Sequence, residues 1–145
     1  MIFYGRYRFN AGAYRPSLTA YVLATDGSWV KHSFLLDTGA DVTFLPQSSI
    51  SRLGISTTGI NVKTDVGGVG GQGIPYLESH LQVKLISPAG IRVLEGTLNI
   101  FLDPHATDVP LFGRDFLDTF TCIFDRVKGQ VLLVDPPDRY ELVRN

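Results

Sequence analysis

The sequence predicts an all-β chain with one or two short helices. Its 15 glycines and 8 prolines fall as punctuation between short apolar runs rather than as one block. Several of those runs alternate apolar and polar residues with a period of two. Stretches with helical spacing are few and brief.

In chain order, the runs LTAYVLA and WVKHSFLL between Leu18 and Leu36 flank Thr25-Asp26-Gly27-Ser28. Asp-Gly favours a type I′ turn with positive φ at both central residues, so this segment reads as a hairpin. Gln47 to Leu53, opened by Pro46 and closed by Gly54, reads as a short helix. Leu81, Val83 and Leu85 alternate with Gln82 and Lys84, and Ser87-Pro88-Ala89-Gly90 is the next turn. The returning run sets Leu94, Leu98 and Ile100 on one face and Glu95, Thr97 and Asn99 on the other, which makes a second, long hairpin. From Arg114 to Phe120 the chain reads as a helix with Phe116, Leu117 and Phe120 on a common face. The last β run, Gln130 to Val134, stops at Pro136-Pro137, and Asp138 to Asn145 is a polar tail. Without an internal repeat or linker, residues 1–145 read as one domain.

Composition narrows the function classes. With 145 residues, 44% of them apolar, the chain can bury a sizeable core without a disulfide or metal staple. Cys122 is the single cysteine, so neither an intramolecular disulfide nor a zinc ribbon is available, as expected for a chain built for a reducing compartment or indifferent to redox. A formal net charge of -1 argues against phosphate-neutralising nucleic-acid binding. Arg6, Arg8 and Arg15 interrupt the N-terminal stretch where a signal peptide would be apolar, and no run is long enough to span a membrane. The expected address is cytoplasmic, although a chain excised from a precursor would read the same.

The chemistry concentrates in three segments. Phe34-Leu35-Leu36-Asp37-Thr38-Gly39-Ala40-Asp41 places an ionisable Asp at the end of an apolar strand, where it needs partners. About thirty residues later comes Asp65-Val66-Gly67-Gly68-Val69-Gly70-Gly71-Gln72-Gly73, and nearer the end Val109-Pro110-Leu111-Phe112-Gly113-Arg114-Asp115. The glycine segment fits the letters of a dinucleotide-binding fingerprint, but Ile74-Pro75-Tyr76-Leu77 follows instead of a helix, so that reading is rejected. Asp103, His105 and Asp108 read as a polar turn-rich loop rather than a metal site, and no cofactor is implied.

In this order and spacing the three segments resemble the retropepsins, the single-domain aspartic proteases of the retroviral type, over about residues 15–134. The resemblance implies a closed β-barrel, active as a C2 homodimer, that hydrolyses peptide bonds. Such chemistry needs two carboxylates sharing one proton, one activating a water and the other serving as acid, and like charges about 3 Å apart cannot both ionise. Only one Asp-Thr-Gly is present, since neither Thr25-Asp26-Gly27 nor Asp118-Thr119-Phe120 repeats it, so the second Asp37 must come from another copy. The alternative is a catalytically silent module that dimerises or binds peptide.

By the same resemblance Asp37, Thr38 and Gly39 form the catalytic loop, with Thr38 locking the two loops together. Ala40, Asp41 and the glycine-rich tip Gly67, Gly68, Val69, Gly70 and Gly71 bind substrate, the tip acting as a flap. Asp41 pairs with Arg114 of the Gly113-Arg114-Asp115 motif. Arg15 corresponds to an arginine that reaches the partner subunit, and reads equally well as a solvated surface charge. Leu36, Val42, Val69, Ile74, Val109 and Leu111 are candidate walls of an apolar cleft. Ala40 lacks the hydroxyl some relatives carry, which implies less acid-shifted activity, and Val42 stands where they often have an acid or Ser. The run Gln130–Val134 is the candidate for the strand that bridges subunits.

Overall fold

The computed structural model describes residues 1–64, 73–139, 141 and 143. Nine strands form one sheet: β1 (Ile2–Asn10), β2 (Ala13–Leu23), β3 (Trp29–Leu36), β4 (Phe44–Leu45), β5 (Tyr76–Ser87), β6 (Gly90–Phe101), β7 (Leu111–Phe112), β8 (Thr121–Asp125) and β9 (Gln130–Val134). Among the described residues there are also two short helices, α1 (Ser49–Leu53) and α2 (Arg114–Leu117). Each is shorter than the sequence suggests. Among the described residues no helix is long and apolar enough to cross a membrane.

The spatial order is β3-β7-β4-β6-β5-β2-β1-β9-β8, with β2 pairing β3 as well. Strand β2 manages three neighbours because it is long. Its first residues pair β1, Tyr21 and Val22 pair β5, and Ser17 to Leu23 pair β3. Most neighbours are antiparallel. The exceptions, β3 with β7 and β4 with β6, are parallel pairs made by two-residue strands.

The alternation read from the sequence sorts the core as expected. Leu81, Val83 and Leu85 on β5 and Leu94, Leu98 and Ile100 on β6 are buried together with Phe34, Phe112 and Leu133. Phe34 meets Phe112 edge to face, with ring centroids 5.2 Å apart, an arrangement that satisfies the ring quadrupoles while burying both side chains. On α2, Phe116 and Leu117 join this core, as does Phe120 just beyond it.

Three local features differ from the sequence reading. The Thr25–Ser28 turn has one positive-φ residue, Gly27, rather than two. There the Asp26 carboxylate accepts the backbone N–H and hydroxyl of Ser28 at 2.9 and 2.6 Å, and these bonds hold its pKa below the usual carboxylate range. The turn with two positive φ values lies instead at Ala11-Gly12, which joins β1 to β2. Strand β1, which precedes the stretch over which the resemblance runs, pairs β2 and β9. Consequently β9, the candidate for bridging subunits, is flanked on both edges by strands of its own chain, β1 and β8.

Candidate active site

Strand β3 delivers Asp37 to the rim of a cavity of about 860 Å³. Leu36 pairs with Phe112 on β7, and the Asp37 N–H donates to the Phe112 carbonyl at 3.0 Å, so β7 fixes where the chain leaves the sheet. The chain then turns: the Ala40 N–H donates to the Asp37 carbonyl at 3.2 Å, and the Gly39 N–H donates to Asp37 Oδ1 at 2.9 Å. That second bond aims the half-buried carboxylate. Thr38 and Gly39 are exposed at the tip of this turn.

Behind the turn, the Gly113-Arg114-Asp115 segment holds the loop by backbone and side chain together. The Arg114 N–H donates to the Ala40 carbonyl at 2.8 Å, and the Asp115 N–H to the Asp41 carbonyl at 3.1 Å. The Asp115 carboxylate accepts from the Thr43 N–H at 2.9 Å, the Thr43 hydroxyl at 2.7 Å and the Phe116 N–H at 2.9 Å. In turn the Gly113 N–H donates to Thr43 Oγ1 at 3.0 Å. A Cβ at Gly113 would stand 2.4 Å from the Val42 carbonyl oxygen, so only glycine permits this approach. The guanidinium of Arg114 pairs with Asp41 above these contacts, where both side chains are largely exposed.

Thr43 was not singled out from the sequence, yet it is fully buried and bonds both segments. Its only sequence signal is a polar residue just before Phe44-Leu45, and its partner lies 72 residues away.

The cavity has two kinds of wall. Val42, Ile74 and Leu111, anticipated as cleft residues, line it; Leu36 is buried in the main core instead, and Val109 lines a different concavity, beside Pro110. Phe44, Tyr76 and Phe101 add an aromatic floor not foreseen from sequence, with Phe44 stacked on Phe101 at 4.7 Å. Beyond that floor the lining turns polar, through Glu78, Thr97 and Asn99 on the β5–β6 hairpin. Asn99 follows the polar face of β6 read from the sequence but is buried, in the part of the strand that pairs with β4.

Arg15 is exposed on β2 opposite Arg8 and does not line the cavity. Gly67, Gly68, Val69, Gly70 and Gly71 lie outside the described residues. Among the described residues no group of three or more His, Cys, Asp or Glu side chains is disposed to hold a metal ion. The Asp103 carboxylate accepts the His105 N–H at 2.8 Å, as in a tight polar turn.

An Asp-Thr-Gly turn at the mouth of a groove, clamped from behind by a Gly-Arg-Asp strand-to-helix turn within a mostly-β sheet, defines a retropepsin-like fold. Solved structures agree. The crystal structure of a retropepsin-like aspartic protease from Rickettsia conorii superposes with a TM-score of 0.64 at 20% identity, over 92% of this chain and 91% of that one. EIAV protease complexed with the inhibitor HBY-793 gives 0.50 at 24% identity, over 77% and 91%. The aspartyl protease family model matches residues 23–116, and the chain belongs to that family. No curated protein matches the chain in sequence.

Proposed function

We propose that this chain is an aspartic endopeptidase that works as a homodimer, with Asp37 from each of two copies forming the catalytic pair. The observation that carries this reading is the single Asp37 carboxylate, oriented by the Gly39 N–H, at the rim of a groove large enough for an extended peptide. One carboxylate supplies half of the required chemistry. In the pair, the ionised Asp37 takes a proton from a water as that water attacks the scissile carbonyl, while the protonated Asp37 donates to the developing oxyanion. The resulting gem-diol collapses as the amine leaves with a proton.

The exposure of Thr38 and Gly39 supports contact between two such turns across a C2 axis. Ala40, with Asp41 held by Arg114, takes the substrate backbone in this reading. Gly67 to Gly71 act as the flap, and Gly113, Arg114 and Asp115 as the support of the loop. Strand pairing that runs β2-β3-β7-β4-β6-β5 and returns to β2 supports a closed barrel. Because β9 has no free edge, the two copies do not pair through it; the assembly relies on the Asp37 turns and other surfaces.

The test is cleavage of a peptide library between pH 4 and 7 by the wild type and by Asp37→Asn, with sedimentation of both. Cleavage by a dimer, lost in Asp37→Asn and blocked by a statine-type inhibitor, is the expected result. Cleavage that survives Asp37→Asn refutes the mechanism. A dimer that binds peptide but cuts none points to the silent module.

A further inference from the structure

Within the cavity at Asp37, one buried polar side chain has no hydrogen-bond partner among the described residues. Asn99 is 6% exposed. Its backbone N–H donates to the Thr43 carbonyl at 3.1 Å, but its carboxamide has no hydrogen bond among the described residues. Among the described residues no side-chain N or O atom sealed from solvent lacks a partner, so the Asn99 amide atoms open into the cavity that the residue lines. Neighbouring charges are already matched. Glu78, directly across the strand pair from Asn99, accepts from Lys63 Nζ at 2.9 Å, and Asp41 is paired with Arg114. Two residue pairs along, on the same face, Tyr76 lies opposite Phe101 and supplies an apolar wall.

We infer that Asn99 makes this part of the cavity a subsite for an uncharged hydrogen-bonding side chain of the substrate, best met by glutamine or asparagine. This rests on the protease reading. A carboxamide both donates and accepts, so a second carboxamide satisfies it in both senses, while the methylenes of a glutamine lie along Tyr76 and Phe101. A purely apolar side chain would shut solvent out from Asn99 and leave its amide unpaired. An acidic side chain would find the nearby cations Lys63 and Arg114 already paired with Glu78 and Asp41.

The experiment takes a peptide cut by the wild-type protein and varies each position through Gln, Leu, Glu and Lys, comparing kcat/KM. Because each copy of the dimer supplies an Asn99, Gln should exceed Leu by about 10-fold to 100-fold at one or both of the two positions related by the two-fold axis. Asn99→Leu should remove or invert that preference there and leave the other positions unchanged. Should Asn99→Leu fail to fold, statine-type inhibitors carrying Gln or Leu at those positions, titrated calorimetrically into wild type, give the same comparison. Cleavage with no position preferring Gln over Leu, or a preference that persists in folded Asn99→Leu, overturns the subsite and leaves the protease intact. A dimer that cuts no peptide overturns the protease reading and the subsite with it.

Discussion

Removing the Thr43 hydroxyl while keeping the shape of the side chain, in Thr43→Val, isolates the contact that joins the Asp37 turn to α2. The hydroxyl donates to Asp115 Oδ1 at 2.7 Å and accepts from the Gly113 N–H at 3.0 Å, at a residue with no exposure. Valine leaves the Gly113 N–H buried without a partner, which costs about 1–3 kcal/mol. Loss of the bond to Asp115 adds about 1.5 kcal/mol, the low end for a charged acceptor because Asp115 is itself exposed to solvent. The sum is about 3.5 kcal/mol, or a fall in Tm of about 10 °C for a chain of this size. Thermal unfolding followed by circular dichroism at fixed protein concentration measures it, since dimerisation would make Tm depend on concentration. Thr43→Ser, which keeps the hydroxyl and loses one methyl, should fall by only about 1 kcal/mol. A Thr43→Val shift under about 2 °C, or one no larger than that of Thr43→Ser, would refute the reasoning.

Two further outcomes follow from the same packing. Gly113→Ala drives a Cβ to 2.4 Å from the Val42 carbonyl oxygen and 3.0 Å from that of Ala40, so the Asp37 turn must move; urea unfolding should show a loss of about 2 kcal/mol or more, and an unchanged midpoint would count against the clamp. His32 is buried, with Nδ1 2.9 Å from the Val30 carbonyl and Nε2 3.0 Å from Ser49 Oγ, and burial, aided by the positive charge of Arg52, holds its pKa below the usual histidine value. The unfolded chain therefore binds the proton more readily. Stability from this group is present above about pH 6.5 and is lost as the pH falls below it. The Tm of the wild type should drop from pH 7 to pH 5 more steeply than that of His32→Gln, and parallel slopes would show that His32 contributes no such linkage.

The parts legible in sequence were those written within a few residues of one another. The β5–β6 hairpin was readable because Ser87-Pro88-Ala89-Gly90 and the flanking alternation specify turn and register locally. The catalytic candidates were readable because Asp-Thr-Gly, the glycine run and Gly-Arg-Asp are contiguous words. The turn at Asp26-Gly27 was located correctly but not its conformation: Ser28 offers the Asp26 carboxylate two donors, which suit a turn with Gly27 alone at positive φ. Strand β1 was hidden because Arg6 and Arg8 break its apolar run and its partner β9 lies more than a hundred residues away.

What the sequence by itself determined is the chemistry available: one Asp37 per chain, a loop of small residues around it, and β-type alternation to build a core beneath. Which groups meet was decided only by the tertiary structure, because contact there depends on non-local pairing rather than on neighbouring letters. The parallel β3–β7 pair brings Asp37 beside Phe112 and so places Thr43 within reach of Gly113 and Asp115. The same folding encloses β9 between β1 and β8 and turns the last residues of β6 toward the cavity. There Asn99, unremarkable as one more polar residue on an alternating strand, is left buried with its amide unanswered.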